Sequence, residues 1–111
     1  MPAVAEPPTR TLPDFEEETR TRRQPPYAVV VLNDDDHTFD YVIQTFMKVF
    51  NYEFEKCFKL AQMIHEEGRA IVWVGSLEVA ELKRDQIKSA GPDHWSTKKV
   101  TWPLGVELEP Q

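Results

Sequence analysis

From Tyr27 to Leu32 the chain is apolar at every position, with Val29-Val30-Val31 at its centre. Such a run predicts a strand buried on at least one face. The period then changes. Phe39, Val42, Ile43, Phe46, Val49 and Phe50 recur at three- and four-residue spacing, with Asp40, Gln44 and Lys48 between them, and predict a helix over 39–50. Asn51 stops it, because Asn tolerates the left-handed conformation. A second helix is expected from about Glu53 to Glu67, with Phe54, Cys57, Phe58, Ala61, Ile64 and His65 on its inward stripe and Gly68 ending it. Arg69 to Gly75 reads as the second strand. Ser76 then caps a third helix to about Ser89, with Val79, Leu82 and Ile87 inward, and Ala90-Gly91-Pro92 stops it. Residues 93–99 read as a polar loop. In the last strand Val100, Trp102, Leu104, Val106 and Leu108 alternate with polar or small residues. Pro103 removes a donor, so the hydrogen-bonded part begins after it or the strand is an edge. The order β-α-α-β-α-β predicts an α+β fold, three helices packed on a small three-stranded sheet.

Between the first strand and the first helix stand Asn33-Asp34-Asp35-Asp36, then His37-Thr38. Adjacent carboxylates repel one another. Helix capping uses one or two such residues, because Asp and Asn suit the position before a first turn and the dipole favours negative charge there. The surplus suggests a turn awaiting a cation or a hydrogen-bond donor.

Composition narrows the field. At 111 residues the chain has room for one domain, and its 41% hydrophobic content supplies one small core. Residues 1–26 hold six of the nine prolines and almost no large apolar side chains, and are expected to be a disordered extension to a domain over 27–111. A net charge of −6 argues against nucleic acid. Cys57 is the single cysteine, so an internal disulfide is excluded, and a reducing, cytoplasmic setting is expected. No apolar run approaches the 18 or so residues of a membrane span. Nothing resembling a heptad repeat suggests a dimer, so a monomer is expected.

His65, next to Ile64 on the expected inward stripe, reads first as a core histidine with its nitrogens satisfied. A short connection between antiparallel helices would also bring the start of the first near the end of the second, so Asn33, Asp34 and His65 could converge. A calcium loop needs a Gly and a later Glu, but the Gly is absent and Gln44 stands where the Glu belongs. An Asp–His pair could orient a general base, yet no Ser or Cys stands out beside it, and Cys57 reads as core. No metal, cofactor or enzymatic role is expected. A primary ammonium offers three donors, and an Asn oxygen, a carboxylate and a neutral His nitrogen are three acceptors.

Five segments in order carry a family resemblance: Leu32-Asn33-Asp34-Asp35; Tyr41-Val42-Ile43; Lys48-Val49-Phe50-Asn51-Tyr52-Glu53-Phe54-Glu55-Lys56; Ile64-His65-x-x-Gly68-Arg69-Ala70-Ile71; and Glu78-Val79-Ala80-Glu81-x-Lys83. They resemble the ClpS adaptors over roughly residues 27–89, with a weaker echo in Pro103-Leu104-Gly105-Val106-Glu107-Leu108. The resemblance implies a non-enzymatic adaptor of the bacterial N-end rule. Such adaptors bind proteins whose first residue is Leu, Phe, Tyr or Trp and deliver them to a Clp AAA+ unfoldase and its protease. By position, Asn33, Asp34 and His65 would hold the substrate's α-amino group, and Asp35 and Thr38 would support the loop and peptide backbone. Phe39, Val42, Ala61, Ile64 and Leu104 would line the side-chain pocket. Glu78 and Lys83 would lie on the face that docks on the unfoldase's N-terminal domain, and the N-terminal extension would be the segment it engages. The alternative is the same fold used for protein interaction with changed or lost N-terminal specificity. Three departures stand out: His37-Thr38-Phe39 where the family commonly has Thr-Pro-Met, Ala61 in place of a pocket methionine, and an apparent insertion over 93–102.

Overall fold

The computed structural model describes residues 24–111; the expected N-terminal extension falls, up to residue 23, outside the described residues. The apolar run forms β1, Tyr27–Leu32, and its burial follows from its place at the centre of the sheet. It pairs antiparallel with both β2, Arg69–Gly75, and β3, Gly105–Pro110, giving the order β2-β1-β3. Three helices complete the fold: α1, Phe39–Phe50; α2, Phe54–Glu67; and α3, Leu77–Lys88. The α+β architecture and the element order are those expected from the hydrophobic pattern.

Strand alternation divides β1 between two environments. Val29 and Val31 join the helix-facing core with Tyr41, Val42, Ile43, Phe46, Ala61, Ile64, Ile87 and Leu104. Ala28 and Val30 belong to the opposite face yet are equally shielded from water. On that side an ion pair between Arg69 of β2 and Glu109 of β3 crosses over β1, since Arg69 is in register with Leu32 and Glu109 with Ala28. A bulge in β2 shifts the register opposite Val29 and Val30, and along β2 Ala70 and Val72 face the core while Ile71 is exposed.

The helix ends are chemically encoded. Thr38 caps α1 by accepting from the Tyr41 N–H at 3.1 Å, and Ser76 caps α3 by accepting from Val79 N–H at 3.3 Å. Asn51 takes the left-handed conformation at φ 59°, as does Gly68 at φ 89°. Tyr52 ties the α1–α2 connection to the sheet by donating to the Val72 carbonyl at 2.8 Å.

Two expected faces are corrected. On α2 the buried stripe is Cys57, Leu60, Ala61 and Ile64, whereas Phe54 and Phe58 are 56% and 39% exposed and His65 is also at the surface. At 100° per residue, residues 54, 58 and 65 share a flank beside the buried stripe, and α1 and β2 cover only the stripe. On α3, Ala80 and Ile87 are buried seven residues apart, while Val79 and Leu82 face outward. The last strand begins at Gly105, after Pro103, and is an edge. Before it, Val100 makes an isolated bridge with Asp93 and Trp102 is exposed. Among the described residues no helix is long and apolar enough to cross a membrane.

Candidate functional site

The acidic turn begins where β1 stops pairing. The Asn33 N–H donates to the Gly68 carbonyl at 2.9 Å, so the end of β1 is tied to the residue that terminates α2. His65 lies one turn earlier on α2, and its ring meets that of Phe39, the first residue of α1, at 5.6 Å between centroids. The start of α1 and the end of α2 therefore do converge, with Asn33, Asp35 and His65 all exposed there.

The three carboxylates have different fates. Asp34 turns into its own loop: one oxygen accepts from the backbone N–H of Asp36 at 2.9 Å and of His37 at 2.8 Å, and the other meets His37 Nδ1 at 2.7 Å. The His37 side chain is only 2% exposed, and its Nε2 donates to the Trp102 carbonyl at 2.9 Å. The His37 ring thus bridges Asp34 of the turn and the backbone of the segment before β3. Asp36 pairs with Lys98 at 3.0 Å. Asp35 has no ion-pair partner among the described residues and faces solvent. The repulsion within the turn is thus relieved at two positions and left open at the third.

Burial works to raise the Asp34 pKa, but the His37 and Asp36 N–H groups and the His37 ring outweigh it, and the net shift is downward. A carboxylate lowered on folding stabilises the native state above its unfolded value and loses that contribution as pH falls through the folded one. The Asp34 contribution should therefore be intact at neutral pH and vanish progressively below about pH 4. Melting curves at about pH 6 and about pH 3 test this: the acid-induced drop in Tm should be smaller in Asp34→Asn than in the parent.

The segment after α3 holds the turn from outside. Asp93, 5% exposed, accepts from the Thr38 N–H at 2.8 Å, from the Thr38 hydroxyl at 3.1 Å and from the Trp95 N–H at 2.9 Å. The Tyr41 hydroxyl donates to the Gly91 carbonyl at 2.6 Å. Together with Lys98 and the Trp102 carbonyl, these contacts make residues 91–102 a brace on the turn, and the stretch 93–99, expected as a polar loop, is part of it. His37 and Asp93 were not among the expected site residues.

Of the expected pocket residues, Val42, Ala61, Ile64 and Leu104 lie in the core, and Phe39, 36% exposed, sits at the rim against His65 and Phe58. Glu78 is exposed in the first turn of α3. Lys83 is engaged within the domain, donating to the Val49 carbonyl at 2.9 Å and lying 5.7 Å over the Phe50 ring. Cys57 is buried, and burial pushes its thiol pKa up, which suits packing rather than reactivity. Among the described residues no cluster of three or more His, Cys, Asp or Glu side chains is arranged to hold a metal.

Three helices on a small sheet thus present an exposed acidic turn where α1 meets α2, and Cys57 is buried away from it. Residues 22–97 match the family described as ATP-dependent Clp protease adaptor protein ClpS. The ClpS adapter of Thermosynechococcus vestitus is 40% identical over 81 residues, covering 72% of this chain and 86% of its own. That of a Nostoc species is 40% identical over 80 residues, covering 71% and 82%. Among solved structures, Agrobacterium tumefaciens ClpS2 bound to L-phenylalaninamide superposes with a TM-score of 0.64 at 28% identity, over 80% of this chain and 100% of that one. The chain belongs to the ClpS family of Clp protease adaptors; it is an adaptor, not an enzyme.

Proposed function

We propose that this adaptor recognises proteins by a free α-amino group and a bulky apolar first side chain, Leu, Phe, Tyr or Trp, and delivers them to a Clp AAA+ unfoldase in the cytoplasm. The observation that carries the reading is the partnering of the acidic turn. Asn33 is exposed where the turn is tied to Gly68, and Asp34, next to it, keeps part of its carboxylate open to solvent while its contacts with His37 and Asp36 fix its position. Asn33, Asp34 and His65 would offer an amide oxygen, a carboxylate oxygen and a ring nitrogen to the three donors of an ammonium. Asp35 and Thr38 then support the loop and the peptide backbone. The relative of known structure was solved with L-phenylalaninamide, a ligand with a free amine and an apolar ring, which supports the same chemistry here.

A first side chain would be received between the Phe39 rim and Val42, Ala61, Ile64 and Leu104. A large ring at 39 and a small residue at 61 would reshape such a pocket in opposite directions. Burying a Phe or Leu side chain contributes roughly 1.5–3 kcal/mol, and each charge-assisted hydrogen bond adds about 1.5–3 kcal/mol. After association costs, a complex of about micromolar strength is expected. Glu78 and Lys83 on α3 mark the face proposed to dock on the unfoldase's N-terminal domain, with the adaptor acting as a monomer.

Fluorescence anisotropy with a peptide beginning in free Phe tests the reading. Its acetylated twin lacks the charge and keeps only one donor, so it forfeits the charge-assisted hydrogen bonds and should bind about a hundredfold or more weakly. Asn33→Ala and His65→Ala should each weaken the free peptide about tenfold or more. Equal binding of both peptides would establish the alternative, an interaction domain indifferent to the free amine.

A further inference from the structure

Phe54, Phe58 and His65 lie along one flank of α2, four and then seven residues apart, a line of about 16 Å. The rings are contiguous. Phe54 stacks on Phe58 at 6.2 Å with 18° between planes, Phe58 meets Phe39 edge-on at 6.1 Å, and Phe39 meets His65 at 5.6 Å. Exposed Glu55, Lys59 and Gln62 flank the row. Nothing in the core uses these rings, and adjoining exposed phenylalanines on a small domain mark a contact surface.

We propose that this aromatic row reads the substrate residues that follow the first, preferring apolar or aromatic side chains at positions two to four. The inference rests on the amine-site reading, which fixes the peptide's first residue at the His65 end. Continuity argues for the occupant: Phe39 and His65 belong both to the proposed site and to the row, so a chain leaving that site has the row at its exit. The distance also fits. From His65 back to Phe58 is about 10 Å along the helix, the reach of three extended residues. Aromatic faces and edges there take an apolar side chain without demanding one sequence.

Three ligands separate this proposal from the amine reading: L-phenylalaninamide, which has no second residue; a peptide starting Phe-Leu-Phe-Leu; and one starting Phe-Gly-Ser-Gly. The parent should bind the apolar-following peptide about fivefold more tightly than the Gly/Ser one. In Phe58→Ser and Phe54→Ser, both surface changes, that preference should shrink or vanish while phenylalaninamide binds as before. Equal affinity for the two peptides overturns the proposal, as does a preference that survives both replacements. A change in sedimentation in place of peptide preference overturns it in favour of a second copy covering the row. Failure of phenylalaninamide to bind the parent overturns the amine reading, and this one with it.

Discussion

Replacing Asp93 by alanine is expected to destabilise the domain by about 2–4 kcal/mol and to weaken amine binding as well. The stability loss follows from what the carboxylate leaves behind. The Thr38 N–H, the Thr38 hydroxyl and the Trp95 N–H all converge on it in a site that is 5% exposed. A buried donor without an acceptor costs about 1–3 kcal/mol, and water can reach only some of these. The binding loss follows because Thr38 both caps α1 and ends the acidic turn, so freeing it loosens Asn33 to Asp36 relative to His65. Urea denaturation should show a lower midpoint with an unchanged slope, and anisotropy a weaker free-Phe complex. Asp93→Asn keeps the shape but turns an NH2 toward one donor, and should fall between the two. An alanine variant of parental stability and affinity would remove the brace from any role in the site.

Phe46→Ala is expected to cost more, about 3–5 kcal/mol. Phe46 is fully buried in the centre of α1 and packs edge-on against Phe50 at 5.9 Å. It anchors to the core the helix whose first turn carries Thr38 and Phe39 and whose end receives Lys83. In a small domain with total stability of about 5–15 kcal/mol, such a loss is a large fraction of what holds the native state. Phe46→Leu refills most of the volume, so it should lose well under half as much in the same denaturation experiment. Equal losses for the two would mean that ring stacking, not cavity formation, governs the position.

How the fold could be read from the sequence, and where that reading ended, has a physical basis. Ser76, Asn51 and Gly68 mark helix ends by side-chain and backbone chemistry that acts locally, so those bounds were visible. The flank of α2 was not. Phe54 and Phe58 satisfy helical spacing as well as Cys57 and Leu60 do, and only the placement of α1 and β2 decides which row is covered. The brace was invisible for a related reason. His37 to Trp102 and Thr38 to Asp93 are contacts between polar residues far apart in the chain, and such contacts leave no periodic trace. Within the acidic turn, sequence brought out the cluster but not its division of labour. Asp34 and Asp35 are adjacent and identical, and only the turn in which Asp34 accepts from residues two and three further on separates them.

The position of β1 has a consequence for how the domain comes into being. The strand is central, yet one of its partners is the last of the six described elements, with Tyr27 in register with Pro110. During synthesis β1 must remain without one of its two strand partners until β3 has left the ribosome. The segment that braces the acidic turn is made just before that strand. A nascent chain ending at α3 therefore has neither a closed sheet nor a fixed recognition turn, and competence to bind arrives together with completion of the fold.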